Sequence, residues 1–364
     1  MRILTLIFYT IVFLQQDISA QDSAIVAAST RYNTRSVPRL VFVGKNYRST
    51  WSLQVKMPVF DISRENGGMV IVKLGGRQTK SLYMHDKGGI QWVLRTVDKS
   101  FEKFIPRSLK HTFVEKDFQD MVSASYPYAA LIVPTLAKAL GLNAPDPKLF
   151  FVPNDTAFGE YRQAFANTVC TLEKSEPSLD NTPTESTDSV LKKITGTTNY
   201  RVDDSDYLKA RLLDMLIGDW DRHKDQYKWG IFKYKAETVF YPIPRDRDQA
   251  FYHSNGLSLK FMRLFAVKYM TGFTTNTRKL RQLNYKAWDL DKTILGKLDE
   301  QQWRRIIHEF QQTMNDDVLL SAVYALPAEV NQKDAGMIFT KLKARRDHLA
   351  KDVMKYYAFV SKRN

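Results

Sequence analysis

Cysteine is almost absent from this chain, and its scarcity excludes several kinds of site. Cys170 is the only cysteine among the 364 residues. A single thiol cannot form an intramolecular disulfide or a zinc site built from several cysteines. Because it lies in an apolar stretch from Phe165 to Leu172, we expect a buried, structural side chain. The six histidines show no metal-ligand spacing, so carboxylates are the candidate metal ligands.

Long apolar runs are missing beyond the N-terminus. Residues 1–20 begin with Met-Arg, continue with an apolar run from Ile3 to Leu14 and end in Ser-Ala. This pattern is typical of a secretory signal peptide, and its apolar core is too short to span a bilayer comfortably. We therefore expect secretion across an inner membrane to a periplasm or cell envelope. No transmembrane span is expected after the signal is cleaved.

Acidic residues are outnumbered by basic ones. The chain has 39 Asp and Glu against 54 Lys and Arg, a formal net charge of +15 and a pI of about 9.6. This balance favours acidic partners such as nucleotides, other anionic ligands or an anionic lipid surface. An envelope protein is a further candidate partner, whereas the expected secretion argues against nucleic acid.

The chain divides into a strand-rich first part and a helix-rich second part. After the signal peptide, residues 21–38 are rich in Ser, Ala and Thr and predict a mobile lead-in. Residues 39–173 are predicted to form an N-lobe, with strand-like segments at 40–43, 52–55, 69–72, 81–84 and 91–97. Residues 174–203 are polar and predict a linker or inserted loop.

Residues 204–364 are predicted to form a helical C-lobe. Its last helix has an apolar face made of Ile338, Leu342, Leu349, Val353, Tyr356 and Val360. Lysines and arginines surround that face, so contact of this helix with an anionic membrane competes with simple solvation of a basic surface.

Two acidic clusters are the most informative feature of the sequence. Residues 218–226 read GDWDRHKDQ and residues 242–251 read PIPRDRDQAF. The two strand-like stretches between them predict a hairpin, which would bring Asp221 and Asp246 close together. Clustered carboxylates repel one another and cost desolvation, so they usually serve a cation or a proton transfer.

The clusters resemble the catalytic core of kinase-like phosphotransferases. The resemblance implies that Asp221 orients or deprotonates an acceptor hydroxyl and that Asp246 holds Mg or Mn, with ATP as the phosphate donor. Gln226 stands where a metal-binding amide is expected. Asp248 lies two residues after Asp246 and would share the metal on an extended chain. The alternative for Asp248 is a structural Asp-Arg lattice.

Two groups of proteins share these motifs. The Asp-Arg-His order of residues 221–223 resembles the atypical kinases of the secretory pathway, the spore coat and the HipA type. Phrases along nearly the whole mature chain resemble a Bacteroidetes envelope family, namely those at 44–51, 75–82, 92–99, 125–131 and 217–223. Together they imply an α+β, bilobal, protein-kinase-like fold.

A glycine-containing loop is the candidate phosphate site. It lies between two predicted strands, where backbone amides can approach phosphate oxygens, and its candidate residues are Gly75, Gly76, Gln78, Thr79 and Lys80. The spacing is not that of a P-loop. An ordinary turn between strands is the alternative.

The kinase resemblance also predicts a cation on the following strand and an acid that pairs with it. Arg95 and Lys99 are both candidates for the cation. Asp120 is preferred as the helix acid, and Glu173 is predicted at an adenine-facing hinge. Ordinary surface charges are the alternative for both acids.

Three functions remain open at this point. The first is a secreted, metal-dependent phosphotransferase acting on an unknown acceptor hydroxyl. The second is a catalytically inactive kinase-like binding or scaffold module of the envelope, where nucleoside triphosphate is expected to be scarce. The third is a metal-dependent hydrolase that uses the same carboxylates.

Overall fold

The computed structural model describes residues 22–362, apart from residues 35, 77, 101–112, 179–181 and 266. The predicted signal peptide, residues 1–20, lies outside the described residues. Within them, strands are concentrated in the first part of the chain and helices in the second. This distribution confirms the predicted α+β class.

The structure contains the following strands and helices. The strands are β1 (Ser23–Ala27), β2 (Gln54–Pro58), β3 (Met69–Gly75), β4 (Ser81–Asp86), β5 (Gln91–Thr96), β6 (Lys148–Val152), β7 (Thr168–Lys174), β8 (Glu185–Ser186), β9 (Tyr200–Val202), β10 (Tyr227–Tyr234) and β11 (Glu237–Pro244). The helices are α1 (Val37–Phe42), α2 (Arg48–Trp51), α3 (Phe113–Asp120), α4 (Ala129–Ala139), α5 (Arg162–Phe165), α6 (Thr187–Gly196), α7 (Asp204–Ile217), α8 (Leu257–Phe265), α9 (Leu280–Leu283), α10 (Trp288–Leu295), α11 (Glu300–Thr313), α12 (Asp316–Tyr324) and α13 (Ala328–Val360).

The first part is organised around a five-stranded antiparallel sheet. Its strand order is β3-β4-β5-β7-β6, so β5 and β7 lie side by side at its centre. One face buries a small apolar core formed by Phe60, Leu82, Leu94, Phe150, Cys170 and Leu172 among others. The burial of Cys170 confirms its predicted structural role. Residues pointing to the opposite face include Arg95 and Glu173, because side chains alternate along a strand.

The second part is built around a larger core. Helix α7 is buried along most of its length and packs against α10, α11 and α13. The predicted apolar face of α13 is confirmed, since all six of its named residues are buried. Helix α4 lies in the first part of the chain, but it packs on α12 and therefore belongs to the larger core. The hairpin β10–β11 lies in a second sheet of order β8-β10-β11-β9.

Three local predictions were wrong. Residues 40–43 were expected as a strand but lie in or beside helix α1, where Pro38 occupies the first turn. Residues 23–27, expected in a mobile lead-in, form β1 and pair antiparallel with β2. The polar segment 174–203 contains α6 and two short strands rather than a simple loop. Whether such a segment forms a strand depends on pairing with a distant strand, and the composition of the segment does not reveal that partner.

A buried ionic cluster ties three helices of the second part together. The Arg211 guanidinium on α7 donates hydrogen bonds to both carboxylate oxygens of Asp291 on α10, at 2.9 and 3.2 Å. The hydroxyls of Tyr207 and Tyr356 donate to the same carboxylate at 2.8 and 2.6 Å. Arg211 and Asp291 are fully buried, so each charge depends on the other.

Among the described helices, none is both long and apolar enough to cross a membrane.

The buried ionic cluster makes a testable prediction about stability. Asp291→Ala would leave the buried Arg211 charge without its main partner, and we expect it to lower the free energy of unfolding by about 3–5 kcal/mol. Urea denaturation followed by circular dichroism measures the change. Asp289→Ala is the matched control, because Asp289 is an exposed acid on the same helix. It should cost less than about 1 kcal/mol. Equal losses in the two variants would contradict the structural role of Asp291.

Candidate active site

A cleft separates the polar face of the five-stranded sheet from the loops of the second part. Arg95 and Glu173 line it from the sheet, Lys99 lines it from the segment after β5, and Asp246 and Asp248 line it from the loop after β11. Most of the predicted charged residues therefore meet in one place. The remaining wall is largely apolar and comes from α4 and the proline-rich segment that follows it.

Helix α7 delivers the first acidic loop to this region. The helix ends at Gly218, whose φ of 70° is left-handed, a conformation that glycine adopts without steric cost. Immediately afterwards, the backbone N–H of Asp219 donates to the carbonyl of Asp214 at 3.0 Å. The Asp219 carboxylate then accepts a hydrogen bond from the backbone N–H of Asp221 at 3.1 Å. Asp219 therefore braces the turn that presents Asp221.

Arg222 connects the two acidic loops. Its guanidinium is buried and donates to the backbone carbonyls of Arg245 and Asp246, at 2.5 and 3.3 Å. It also donates to the Gln226 side-chain oxygen at 2.8 Å. The hairpin β10–β11 begins right beside this point, because the Arg245 N–H donates to the Gln226 carbonyl at 2.9 Å. The predicted meeting of the two loops is therefore observed.

The Gln226 side chain, which the kinase resemblance predicted as a metal ligand, is engaged within the protein. It is buried, and its oxygen, the only atom that could bind a metal, accepts the Arg222 hydrogen bond. This geometry favours a bracing role between the loops. Asp225 is an exposed neighbour, with 73% of its side chain accessible.

A single carboxylate beneath the cleft fixes both loops. Asp214 on α7 is completely buried and receives Arg222 from the first loop at 3.4 Å and Arg247 from the second loop at 3.0 Å. Arg211 approaches it at 2.8 Å, and the Tyr227 hydroxyl donates at 2.9 Å. Burial alone would raise the pKa of Asp214, but the three guanidiniums lower it below its ordinary value.

Asp246 has the features of a ligand-binding carboxylate. Its φ of 54° is left-handed, which is uncommon for a residue other than glycine and marks a backbone held by its surroundings. Across the described chain, no side chain forms a hydrogen bond or ion pair with its carboxylate. The carboxylate thus lies in the cleft with its oxygens available to a ligand, while nearby Arg95 and Arg245 act on it only through their charge.

Asp248 forms the link between the two walls of the cleft. The Lys99 ammonium, which is only 4% exposed, lies 2.6 Å from an Asp248 carboxylate oxygen. Burial raises the pKa of Asp248 to about 6; Lys99 opposes this shift, and the charges of Asp246 and Asp221 add to it. Asp221, Asp246 and Asp248 are therefore close enough to interact electrostatically.

The second cation of the cleft is Arg95. Its Nε lies 3.2 Å from Glu173 on the neighbouring strand β7. Burial would lower the pKa of Arg95, but Glu173 and Asp246 raise it above its ordinary value. Glu173 is the acid that pairs with Arg95, a role that the sequence assigned to Asp120. Burial in turn raises the pKa of Glu173, and Arg95 opposes that shift.

Asp120 pairs with other residues than those predicted. Its carboxylate receives two hydrogen bonds from Arg48, both 2.6 Å long, and one from Arg39 at 2.7 Å. It therefore fixes α1 and α2 to the end of α3 and forms no ion pair with Arg95 or Lys99. The correct pairing could not be inferred from the sequence, because any of several basic residues was a plausible partner.

The glycine loop connects β3 to β4 at the edge of the cleft. Gly76 has a φ of 91°, and a Cβ there would lie 1.9 Å from the Thr79 carbonyl oxygen, so the turn requires glycine. Thr79 lines the cleft. The Gln78 carbonyl accepts a hydrogen bond from Ser100, whereas the Lys80 ammonium donates to the Ala164 carbonyl. Gly75 and Gly76 shape the loop, and Lys80 is engaged away from the cleft lining.

Lys286 is a site residue that sequence reasoning missed. Its ammonium donates a hydrogen bond to the Asp221 carboxylate and lies over the rings of Trp220 and Tyr269, at 5.1 and 4.9 Å from their centroids. These contacts hold the lysine against Asp221. Nothing in the motifs indicated it, because it lies 65 residues further along the chain.

The carboxylates fit a metal ion that arrives with phosphate oxygens. Within the described residues, no three Asp, Glu, His or Cys side chains are placed to share one metal ion. Magnesium is commonly held by one or two carboxylates together with substrate phosphates rather than by an all-protein cage. Asp246, with Asp248 beside it, satisfies that smaller requirement.

The known proteins that this chain resembles are found among solved structures. No protein-family model matches the chain, and comparison with curated proteins gives no match, so the Bacteroidetes resemblance stays a prediction. The proinflammatory kinase CtkA of Helicobacter pylori is 10% identical with a TM-score of 0.42, covering 82% of this chain and 99% of that chain. A Golgi casein kinase is 12% identical with a TM-score of 0.38, covering 93% and 84%.

A third similar structure is the Rio2 kinase–ADP/Mg²⁺–phosphoaspartate complex from Chaetomium thermophilum. It is 12% identical with a TM-score of 0.34, covering 88% of this chain and 84% of that chain. At these identities and scores, similarity carries no argument about function, which rests on the residues of the cleft.

The buried Asp219 gives a pH-dependent prediction. Burial raises its pKa to about 7, Arg222 opposes the shift, and Asp214 adds to it. Between its ordinary pKa of about 4 and this value, the folded protein retains a proton that the unfolded chain has lost. The stability contributed by that proton is lost as the pH rises through about 7. Asp219→Asn mimics the protonated form, so its melting temperature relative to wild type should increase from pH 5 to pH 8.

Thermal melts at both pH values measure this difference. Asp225→Asn is the control in the same loop, and its difference from wild type should not change with pH, since the side chain is exposed. An Asp219→Asn difference that is equal at pH 5 and pH 8 would show that Asp219 does not retain a proton in the folded state.

Proposed function

We propose that this chain is a secreted, metal-dependent, kinase-like phosphotransferase that moves a phosphoryl group from ATP to an acceptor hydroxyl. One observation carries the proposal. The Asp246 carboxylate has no side-chain partner among the described residues and lies in a cleft whose other wall holds the cations Arg95 and Lys99. A carboxylate facing two cations suits a ligand that combines phosphate charge with a divalent ion.

The sheet side of the cleft supplies phosphate recognition. Arg95 and Lys99 are held by Glu173 and Asp248, so their charges are fixed in position before a ligand binds. An arginine offers two parallel donors to phosphate oxygens, and a lysine offers a compact charge. Thr79 adds a polar group from the glycine loop at the edge of the same cleft.

Asp246 and Asp248 would hold Mg or Mn. When bound, such an ion neutralises charge on the phosphate oxygens. Asp246 is the principal ligand because its carboxylate is unoccupied by side chains of the described chain. Asp248 shares its charge with Lys99 and is the secondary ligand. Gln226 is the weakest of the predicted ligands, since Arg222 occupies its oxygen.

Asp221 is the group that acts on the acceptor. The brace from Asp219 and the hydrogen bond from Lys286 fix its carboxylate. An acceptor hydroxyl beside Asp221 would donate its hydrogen bond, and later its proton, to this carboxylate. Its oxygen would form the new bond to the γ-phosphorus of ATP while the bond from that phosphorus to the β,γ-bridging oxygen breaks, and ADP would leave with that oxygen and its electron pair. The Lys286 ammonium holds the Asp221 carboxylate in position through its hydrogen bond.

A kinase-like binding module without catalysis is the second candidate. Two observations favour it: Gln226 is engaged by Arg222, and Lys99 is already neutralised by Asp248. In that case the cleft would hold an anionic envelope ligand or partner without chemistry. The predicted secretion adds to this alternative, because ATP is expected to be scarce outside the cytoplasm of a bacterium.

Metal-dependent nucleotide binding tests the role of Asp246. ATP with Mg or Mn should raise the melting temperature of the wild type, and Asp246→Asn should abolish that rise because it removes the charge of the principal metal ligand. Differential scanning fluorimetry with and without the metal measures the effect. Asp225→Asn should retain the full rise. A wild type that gives no rise with either metal would contradict ATP as the donor.

Transfer chemistry tests the role of Asp221. Asp221→Asn should retain metal-dependent ATP binding but lower phosphate release or self-phosphorylation by about 10²–10⁴-fold, the usual range for a positioned proton acceptor. Radiolabelled ATP measures both products. If the variant retains half of the wild-type rate, Asp221 has no such role. If the wild type binds ATP and transfers nothing, the binding module is the correct function.

A further inference from the structure

Six large apolar side chains are exposed on two neighbouring helices. They are Val37, Val41 and Phe42 of α1 and Leu257, Phe261 and Leu264 of α8, and each is between 49% and 68% exposed. The two helices contact each other, and we call these six exposed residues together the α1–α8 patch. Single exposed apolar residues are ordinary, whereas a contiguous group of this kind marks an interaction surface.

The contact between the two helices is specific. Gly44, just after α1, meets Gly256, just before α8, and a Cβ on Gly256 would lie 2.2 Å from the Val43 carbonyl. Asn46 and Asn255 exchange hydrogen bonds across the same junction, at 3.4 and 3.3 Å. The close backbone approach fixes the two helices side by side, and the α1–α8 patch is therefore a built surface.

Helix α8 has apolar residues on two faces. Leu259 is buried against Ala124 and Tyr252, with Met262 packed beside it. Residues 257, 261 and 264 recur at helical spacing and point away from that contact. Leu257 and Leu264 on the second face are 52% and 65% exposed, so this face is accessible from outside the protein.

The sequence segments that contain α1 and α8 carry basic residues and no acidic ones. Residues 249–288 contain seven Lys and Arg and no Asp or Glu, and residues 23–60 contain six Lys and Arg and no Asp or Glu. Lys45 follows α1 and Lys260 lies within α8, and both are exposed. The patch therefore combines apolar side chains with Lys45 and Lys260, which have no acidic partner among the described residues. Arg39 of α1, in contrast, pairs with Asp117 and Asp120.

We infer that the α1–α8 patch docks onto an anionic phospholipid surface. Apolar side chains on short helices enter the boundary between headgroups and acyl chains, and neighbouring lysines bind lipid phosphates. A second copy of this chain would place two basic surfaces against each other, which costs electrostatic energy. The inference does not depend on phosphotransfer.

Helix α13, on which membrane contact was weighed from the sequence, is less suited to it. Its Lys343 and Arg346 form ion pairs with Asp316, and Lys355 pairs with Asp352. Arg345 is buried and donates to backbone carbonyls. Three basic residues of α13 are therefore paired with acids and a fourth is buried, whereas Lys45 and Lys260 beside the α1–α8 patch are exposed and have no acidic partner among the described residues.

Vesicle co-sedimentation tests the inference. The mature protein should bind vesicles of phosphatidylcholine mixed with phosphatidylglycerol at about 0.15 M salt, where the Debye length is about 8 Å, and should bind pure phosphatidylcholine weakly. Leu257→Ser/Leu264→Ser should weaken partitioning by about tenfold or more, because two apolar side chains no longer enter the membrane. Lys45→Gln/Lys260→Gln should weaken binding to the anionic vesicles alone.

Phe232→Ser/Tyr234→Ser is the matched control, since these residues are 57% and 56% exposed at the end of β10, outside the α1–α8 patch. This variant should bind vesicles like the wild type, and thermal melts should show that all variants fold. Absence of wild-type binding at this salt, or equal binding by the leucine variant, would overturn the inference. A wild-type dimer that the leucine variant dissociates, without vesicle binding, would assign the patch to a second copy instead.

Discussion

The buried carboxylate of Asp214 is the interaction on which the site depends. It lies on α7 and receives Arg222 from one acidic loop and Arg247 from the other. An isolated charge at this depth would be very costly, and the guanidiniums and the Tyr227 hydroxyl offset that cost. Because both loops bind the same carboxylate, their positions are coupled: a shift in one removes a partner of the other.

This coupling leaves a particular distribution of charge in the cleft. The cations from the sheet are held by acids, Arg95 by Glu173 and Lys99 by Asp248. Asp246 has no such partner among the described side chains. An anionic ligand with a divalent ion would complete the set, since it brings negative charge to the cations and a positive ion to Asp246. The cleft therefore has the electrostatics expected of a nucleotide–metal site.

The net positive charge of the protein is unevenly placed. Helix α13 pairs three of its basic residues with nearby acids, whereas Lys45 and Lys260 beside the α1–α8 patch have no acidic partner among the described residues. The α1–α8 patch also follows closely after the loop of Asp246 and Asp248, because α8 begins at Leu257.

Local sequence patterns predicted the α+β class, the apolar face of α13 and the meeting of the two acidic loops. These patterns are residue periodicity, a helix-ending glycine and a hairpin between Asp221 and Asp246. The charge partners, in contrast, depend on how distant segments of the chain pack together. Asp120 binds Arg48, Glu173 binds Arg95 and Lys286 reaches Asp221. In a chain with 54 Lys and Arg, every acid has many possible partners, and packing of distant segments selects one of them.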